Sequence, residues 1–109
     1  MSASEHDRVK RYVAEILTCY GVTVREEEWI GDRRVDVVGY YGGKTICVEV
    51  SKTSDLAKEL DSVSRCDIGF VVWLKPYARP VHNIDSIWIV LPEEFEDILR
   101  PLLGIDIGK

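Results

Sequence analysis

The chain has 109 residues and a formal net charge of −5, enough for one domain spanning 1–109 and too short for two. The acidic balance argues against a protein that coats nucleic acid by bulk charge, because neutralising phosphates needs clustered Lys and Arg. No apolar run approaches the ~20 residues that span a bilayer, and the charged stretch Met1 to Arg11 does not read as a signal peptide, so the expectation is a cytoplasmic protein with no membrane partner.

The first element is a helix. Val9, Tyr12, Val13, Ile16, Leu17 and Tyr20 follow helical spacing and form one apolar stripe, with Arg8, Lys10, Arg11 and Glu15 opposite. Ser2 or Ser4 can cap its start, and Gly21 can end it. A strand begins at Val22 and enters the acidic run Glu26, Glu27, Glu28. Gly31-Asp32 marks a turn. Arg33 to Tyr41 and Lys44 to Ser51 read as two strands joined by Gly42-Gly43, since glycine supplies the positive φ that a two-residue hairpin turn demands.

Ser54 to Arg65 reads as a second helix, with Leu56, Ala57, Leu60 and Val63 inward and Thr53 or Ser54 as cap. Ile68 to Leu74 is a nearly continuous apolar run, as in a strand covered on both faces. Lys75 to Ser86 reads as a loop and Ile87 to Leu91 as a fifth strand. Pro92 opens a third helix with Glu93 and Glu94 in its first turn. The order αβββαββα predicts an α/β fold: a mixed five-stranded sheet with flanking helices, a meander first and then a parallel strand reached by a crossover. The three cysteines, Cys19, Cys47 and Cys66, have no paired spacing and lie in apolar stretches, which predicts small buried thiols in a reducing compartment.

The glycine turn sets a register. With Tyr41 facing Lys44, counting outward brings Val38 to Cys47, Val37 to Val48 and Asp36 to Glu49. Val35, Val37, Val48 and Val50 then point to the other face as core. Two acids opposite each other stand ~5 Å apart at Cβ and repel. A divalent cation between them would turn repulsion into attraction, and such a cation can activate water in phosphodiester cleavage. The competing reading is that both side chains splay into solvent, or that Arg34 or Lys52 neutralises them.

Arg34-Val35-Asp36-Val37-Val38, a glycine turn, and Cys47-Val48-Glu49-Val50-Ser51-Lys52 together resemble the core of the restriction-endonuclease-like superfamily, whose signature is PD-(D/E)xK. The chain looks most like the small archaeal Holliday-junction resolvases and related archaeal nucleases, and the resemblance spans Val9 to Leu74. It implies a restriction-endonuclease-like fold, DNA as substrate, Mg²⁺ or Mn²⁺ as cofactor, and a homodimer. Asp36 and Glu49 would be the metal ligands and, with a lysine that orients or deprotonates the attacking water, the catalytic residues. An acid on the first helix often joins such sites, which here nominates Glu15. Val35 replaces the signature proline. Ser51 stands where the lysine belongs, and Lys52 follows one residue later, on the opposite face of a regular strand. A β-bulge would return Lys52 to the site, Lys58 on the second helix would replace it, or catalysis is lost.

Arg8, Lys10 and Arg11 form the densest basic face and are the candidate phosphate contacts, against the plainer reading of a solvated helix face. Glu26 to Glu28 are candidate extra ligands or a solvated strand end. His82, with Arg79 and Asn83, is a candidate phosphate contact or simply an exposed loop residue. Trp29, Trp73 and Trp88 read as core or edge aromatics, with base stacking by Trp29 the alternative. No glycine-rich phosphate loop and no Ser/His/Asp or Cys/His constellation is present, so no small-molecule organic cofactor is expected. Two functions follow: a metal-dependent DNA nuclease, or a non-catalytic member of the fold that binds nucleic acid or protein.

Overall fold

The computed structural model describes residues 4–51 and 55–105. Helix α1 (Glu5–Cys19) starts at Ser4, whose hydroxyl accepts the Asp7 N–H at 3.1 Å. Gly21 follows its end at φ +84°. Strands β1 (Thr23–Ile30), β2 (Arg33–Tyr41) and β3 (Lys44–Ser51) form an antiparallel meander. Gly42 and Gly43 turn between β2 and β3 with φ +56° and +81°, the two left-handed conformations of a tight hairpin. Helix α2 (Leu56–Val63) carries the chain to β4 (Ile68–Trp73), which lies parallel to β3. Strands β5 (Asn83–Ile84) and β6 (Ile87–Val90) follow, then a 3₁₀ turn at Pro92–Glu94 and α3 (Phe95–Leu102).

The six strands are ordered β1-β2-β3-β4-β6-β5. The α/β class, the mixed sheet and the three helices match expectation, but the sheet has six strands rather than five. The additional strand lies in the segment expected to be a loop. Asn83 and Ile84 turn back on Ile87 and Trp88 through Asp85 at φ +53°, and two residues are too few to display an alternating pattern.

Helices cover both faces of the sheet. On one, α1 and α3 bury Val13, Leu17, Phe95 and Leu99 against Val37, Ile46, Val48, Phe70 and Val72. On the other, α2 lays Val63 on Val35, Val38, Val71 and Trp73, with Leu56 and Leu60 beside it. Central β4 is buried along its whole length. Helix α2 comes so close to it that a Cβ on Gly69 would stand 2.9 Å from the Val63 carbonyl oxygen.

Four expectations need correction. Val35 is core, but on the α2 face, whereas Val37, Val48 and Val50 serve the α1 face. The alternation along β2 therefore breaks at Asp36. The cap of α2 is Asp55, whose carboxylate accepts the Ala57 N–H at 2.7 Å, while Thr53 and Ser54 lie outside the described residues. Helix α2 turns Glu59 inward and leaves Ala57 exposed, because stability here follows the spacing of Leu56, Glu59, Leu60 and Val63 rather than polarity alone. Finally, Cys47 and Cys66 form a disulfide and Cys19 is exposed. The crossover from β3 through α2 brings two cysteines separated by 19 positions to a Cα–Cα distance of 5.7 Å, a proximity that spacing along the chain does not display.

Candidate carboxylate site

The β2–β3 ladder begins at Tyr41 and Lys44 and ends at Val37 opposite Val48. The next positions outward are Asp36 and Glu49, and there the carboxylates replace the backbone ladder. The Asp36 N–H donates to Glu49 Oε1 at 2.8 Å, and the Val50 N–H donates to Asp36 Oδ2 at 2.8 Å. Each acid thus binds the backbone of the opposing strand, so neither splays into solvent. Satisfying both N–H groups offsets part of the cost of placing two acids together.

Burial, followed by the charge of Asp36, pushes the Glu49 carboxyl up to about 8. At neutral pH the pair therefore holds a proton in the absence of other cations.

The ladder on the other side of Asp36 is also interrupted. Glu26 faces Val37 and Glu28 faces Val35, yet the intervening Glu27 adopts φ +55° and drops out of the pairing. A left-handed non-glycine residue costs of order 1–3 kcal/mol and persists where its surroundings hold it. Here the Glu27 carboxylate is held by Lys10 Nζ at 2.5 Å and Arg34 Nε at 3.2 Å. The Lys10 ammonium keeps the Glu27 carboxyl below its ordinary range.

Two site residues were not legible in the sequence. His6, on the first turn of α1, places Nε2 3.3 Å from Asp36 Oδ2. Glu59, on α2, is 3% exposed and accepts the Ser51 hydroxyl at 2.8 Å. Its Oε1 lies 3.8 Å from Lys75 Nζ, and its buried Oε2 has no hydrogen-bond partner. Burial raises the Glu59 carboxyl above its ordinary value, with Ser51 and Lys75 opposing the shift. Glu49, Glu59 and Lys58 line one hollow of about 240 Å³, together with Trp29, Arg33 and Arg34.

The other candidates divide. Lys52 lies outside the described residues. Ser51 is fully buried against Glu59. Glu15 is exposed beside Arg11 and Glu26 in a separate surface depression rather than at Asp36. Arg8 and Arg11 are exposed on α1, while Lys10 turns away from them to Glu27. Arg79 is not a free phosphate contact, because its guanidinium binds Glu94 and the Ile89 carbonyl. His82 is exposed. Trp73 is buried, Trp88 is partly buried, and Trp29 stands in solvent.

Among the described residues no group of three or more His, Cys, Asp or Glu side chains converges on a metal position. The donor chemistry nevertheless fits a hard divalent cation such as Mg²⁺ or Mn²⁺: two adjoining carboxylates, with a buried carboxylate oxygen lacking a partner nearby on α2.

No helix among the described residues is long and apolar enough to cross a membrane. No protein-family model and no curated protein matches the chain. Among solved structures, it is similar to the SPO1766 protein of unknown function from Silicibacter pomeroyi, with 22% identity, a TM-score of 0.60, and coverage of 84% of this chain and 68% of that one. That likeness is one of fold.

Proposed function

We propose that the protein is a metal-dependent nuclease of the restriction-endonuclease-like fold that hydrolyses DNA phosphodiester bonds at Asp36 and Glu49. The observation that carries this reading is the break in the β2–β3 ladder, where both carboxylates are fixed by backbone N–H groups although burial and the charge of Asp36 oppose the ionisation of Glu49. Two apposed acids are a costly way to satisfy two backbone N–H groups, and strained and repelling groups are common where function requires them.

Asp36 and Glu49 would hold Mg²⁺ or Mn²⁺, which when bound supplies an activated water and charge stabilisation for the leaving oxygen. His6 orients Asp36 from α1. Lys58 shares the hollow with Glu49 and takes the role of the signature lysine, orienting the attacking water or accepting its proton. Arg33 and Arg34 at the rim meet the phosphate backbone. Exposed Arg8 and Arg11 extend that contact over α1. The analogy with the resolvases carries a homodimer. Light scattering at micromolar concentration tests the dimer, and a monomer mass counts against junction cleavage but not against phosphodiester hydrolysis.

The deciding experiment is a cleavage assay in Mg²⁺ or Mn²⁺ on linear, branched and single-stranded DNA. Wild type should cut, Asp36→Asn and Glu49→Gln should not, and Lys58→Ala should lose roughly 10²–10⁴-fold, the usual worth of a positioned proton-transfer group. A second reading, a non-catalytic module that binds nucleic acid or protein, is favoured by Ser51, which fills the lysine position and is buried against Glu59. DNA binding with no cleavage under any metal would select it.

A further inference from the structure

Trp29 is 63% exposed at the end of β1, directly across the ladder from Arg34. A large indole left in water forgoes the stabilisation that burial would bring. It lines the same hollow as Glu49, Lys58 and Glu59. Its neighbours on that wall are charged, Arg33 and Arg34 among them. A single aromatic ring set among charges differs from the contiguous apolar patch that a protein partner buries. At about 240 Å³ the hollow is also smaller than the ~300–1,000 Å³ of sites that enclose organic ligands.

Arg34 completes the pattern. Arg33 Nε lies 3.0 Å from Asp61, and Arg34 Nε lies 3.2 Å from Glu27. Arg34, the ladder partner of Trp29, is held beside it by its pair with Glu27, whereas Arg33 pairs with Ile30 and turns toward α2; the Arg34 guanidinium has five N–H donors in all, of which the Nε contact uses one. An aromatic face beside an oriented guanidinium matches a nucleotide: the base stacks on the ring and its phosphate meets Arg34. The base must be unpaired, since within a continuous duplex each base face is covered by its neighbours.

We propose that Trp29 is a stacking platform for an unpaired base of the strand whose phosphates enter the hollow, so that the protein acts on single-stranded or locally unpaired nucleic acid in preference to continuous duplex. The inference rests on the nucleic-acid part of the proposed function and deepens it by naming the substrate class.

The test is fluorescence anisotropy in EDTA, where metal-dependent cleavage cannot proceed. A labelled single-stranded oligonucleotide and its duplex are titrated with wild type, Trp29→Ala and Trp29→Phe, and melting curves confirm that the variants fold. Wild type should favour the single strand. Trp29→Ala should lose roughly 5- to 150-fold on the single strand, with duplex affinity within about twofold of wild type. Trp29→Phe, which keeps a ring, should retain most of the affinity. An unchanged single-strand affinity in Trp29→Ala, or an equal loss on both substrates, overturns the platform. So does a variant that changes only its oligomeric state in light scattering, which would make Trp29 a protein contact. Failure of wild type to bind either nucleic acid overturns the platform together with the nucleic-acid reading beneath it. Trp29-dependent single-strand binding in a protein that cuts nothing in Mg²⁺ or Mn²⁺ keeps the platform and rejects the nuclease.

Discussion

At Glu49, burial and the charge of Asp36 act in the same direction, setting its carboxyl at about 8 against an ordinary 4.5. Between those two values the native protein holds a proton that the unfolded chain has released, so stability falls as pH rises. The contribution of Glu49 is complete below 4.5 and is gone once pH passes about 8. Without metal, the melting temperature should therefore decline across this window, and Glu49→Gln should flatten much of the decline. Glu59, also raised, supplies the remaining slope. Identical slopes in wild type and variant would remove Glu49 as the titrating group. A divalent cation bound to the ionised pair stabilises the native state by mass action, because the unfolded chain has no preformed site. Mg²⁺ or Mn²⁺ should raise the melting temperature of wild type, with much smaller rises in Asp36→Asn and Glu49→Gln. Superimposable curves with and without metal in all three proteins would end the metal reading. Glu59 makes a separate prediction. Its carboxylate accepts the buried Ser51 hydroxyl, so Glu59→Ala should cost about 1–3 kcal/mol in urea unfolding, as expected when a buried hydrogen-bond partner is removed. A loss below about 1 kcal/mol would mean that water satisfies the Ser51 hydroxyl instead. The approach of the two acids could be anticipated from the sequence because a glycine turn and simple counting carry the register as far as Val37 and Val48, one step short of the pair, where the ladder ends. His6 and Glu59 could not, since each meets the site only through packing of a helix on the sheet, and a glutamate at a helical position is read as solvated.

At the scale of elements, β2 and β3 match their expected bounds because Gly42-Gly43 leaves the hairpin one register. Helix α1 was legible from its stripe and its serine cap, although Tyr12 on that stripe is 41% exposed. Helix α2 was placed with Leu56, Leu60 and Val63 inward as expected, but its inward face also takes Glu59 and Ser62 and leaves Ala57 in solvent. The close seating of α2 on β4 is the element-level feature most sensitive to change. Gly69→Ala would press a methyl group against the Val63 carbonyl and side chain. Overpacking of this kind typically costs ~1–3 kcal/mol. The same shift would carry Lys58 and Glu59 away from Glu49, so on the proposed nuclease reading the variant should lose cleavage at temperatures where circular dichroism still reports a folded protein. Stability within about 0.5 kcal/mol of wild type would show that α2 seats more loosely than the contact implies.

Over the whole molecule, the three layers and the parallel crossover follow from the order of elements, whereas the six-strand count and the covalent cross-link depend on pairings between distant residues. The Cys47–Cys66 disulfide joins β3 to the chain just beyond α2. Closing a loop of that length removes unfolded-state entropy worth ~3 kcal/mol in the chain-entropy model. A reductant strong enough to open it should lower the melting temperature by roughly 10 °C or more for a domain of this size. A change of under about 2 °C would show that the native packing of Cys47 carries the stability instead. The bond also encloses Glu49, Ser51, Lys58 and Glu59 in one covalent ring, with Asp36 outside it. A single protease cut anywhere inside that ring separates nothing while the sulfurs stay joined. The nicked protein should run as one species on a denaturing gel and fall into two only after reduction, so digestion with and without thiol reports the redox state of the segment that carries Glu49, Lys58 and Glu59.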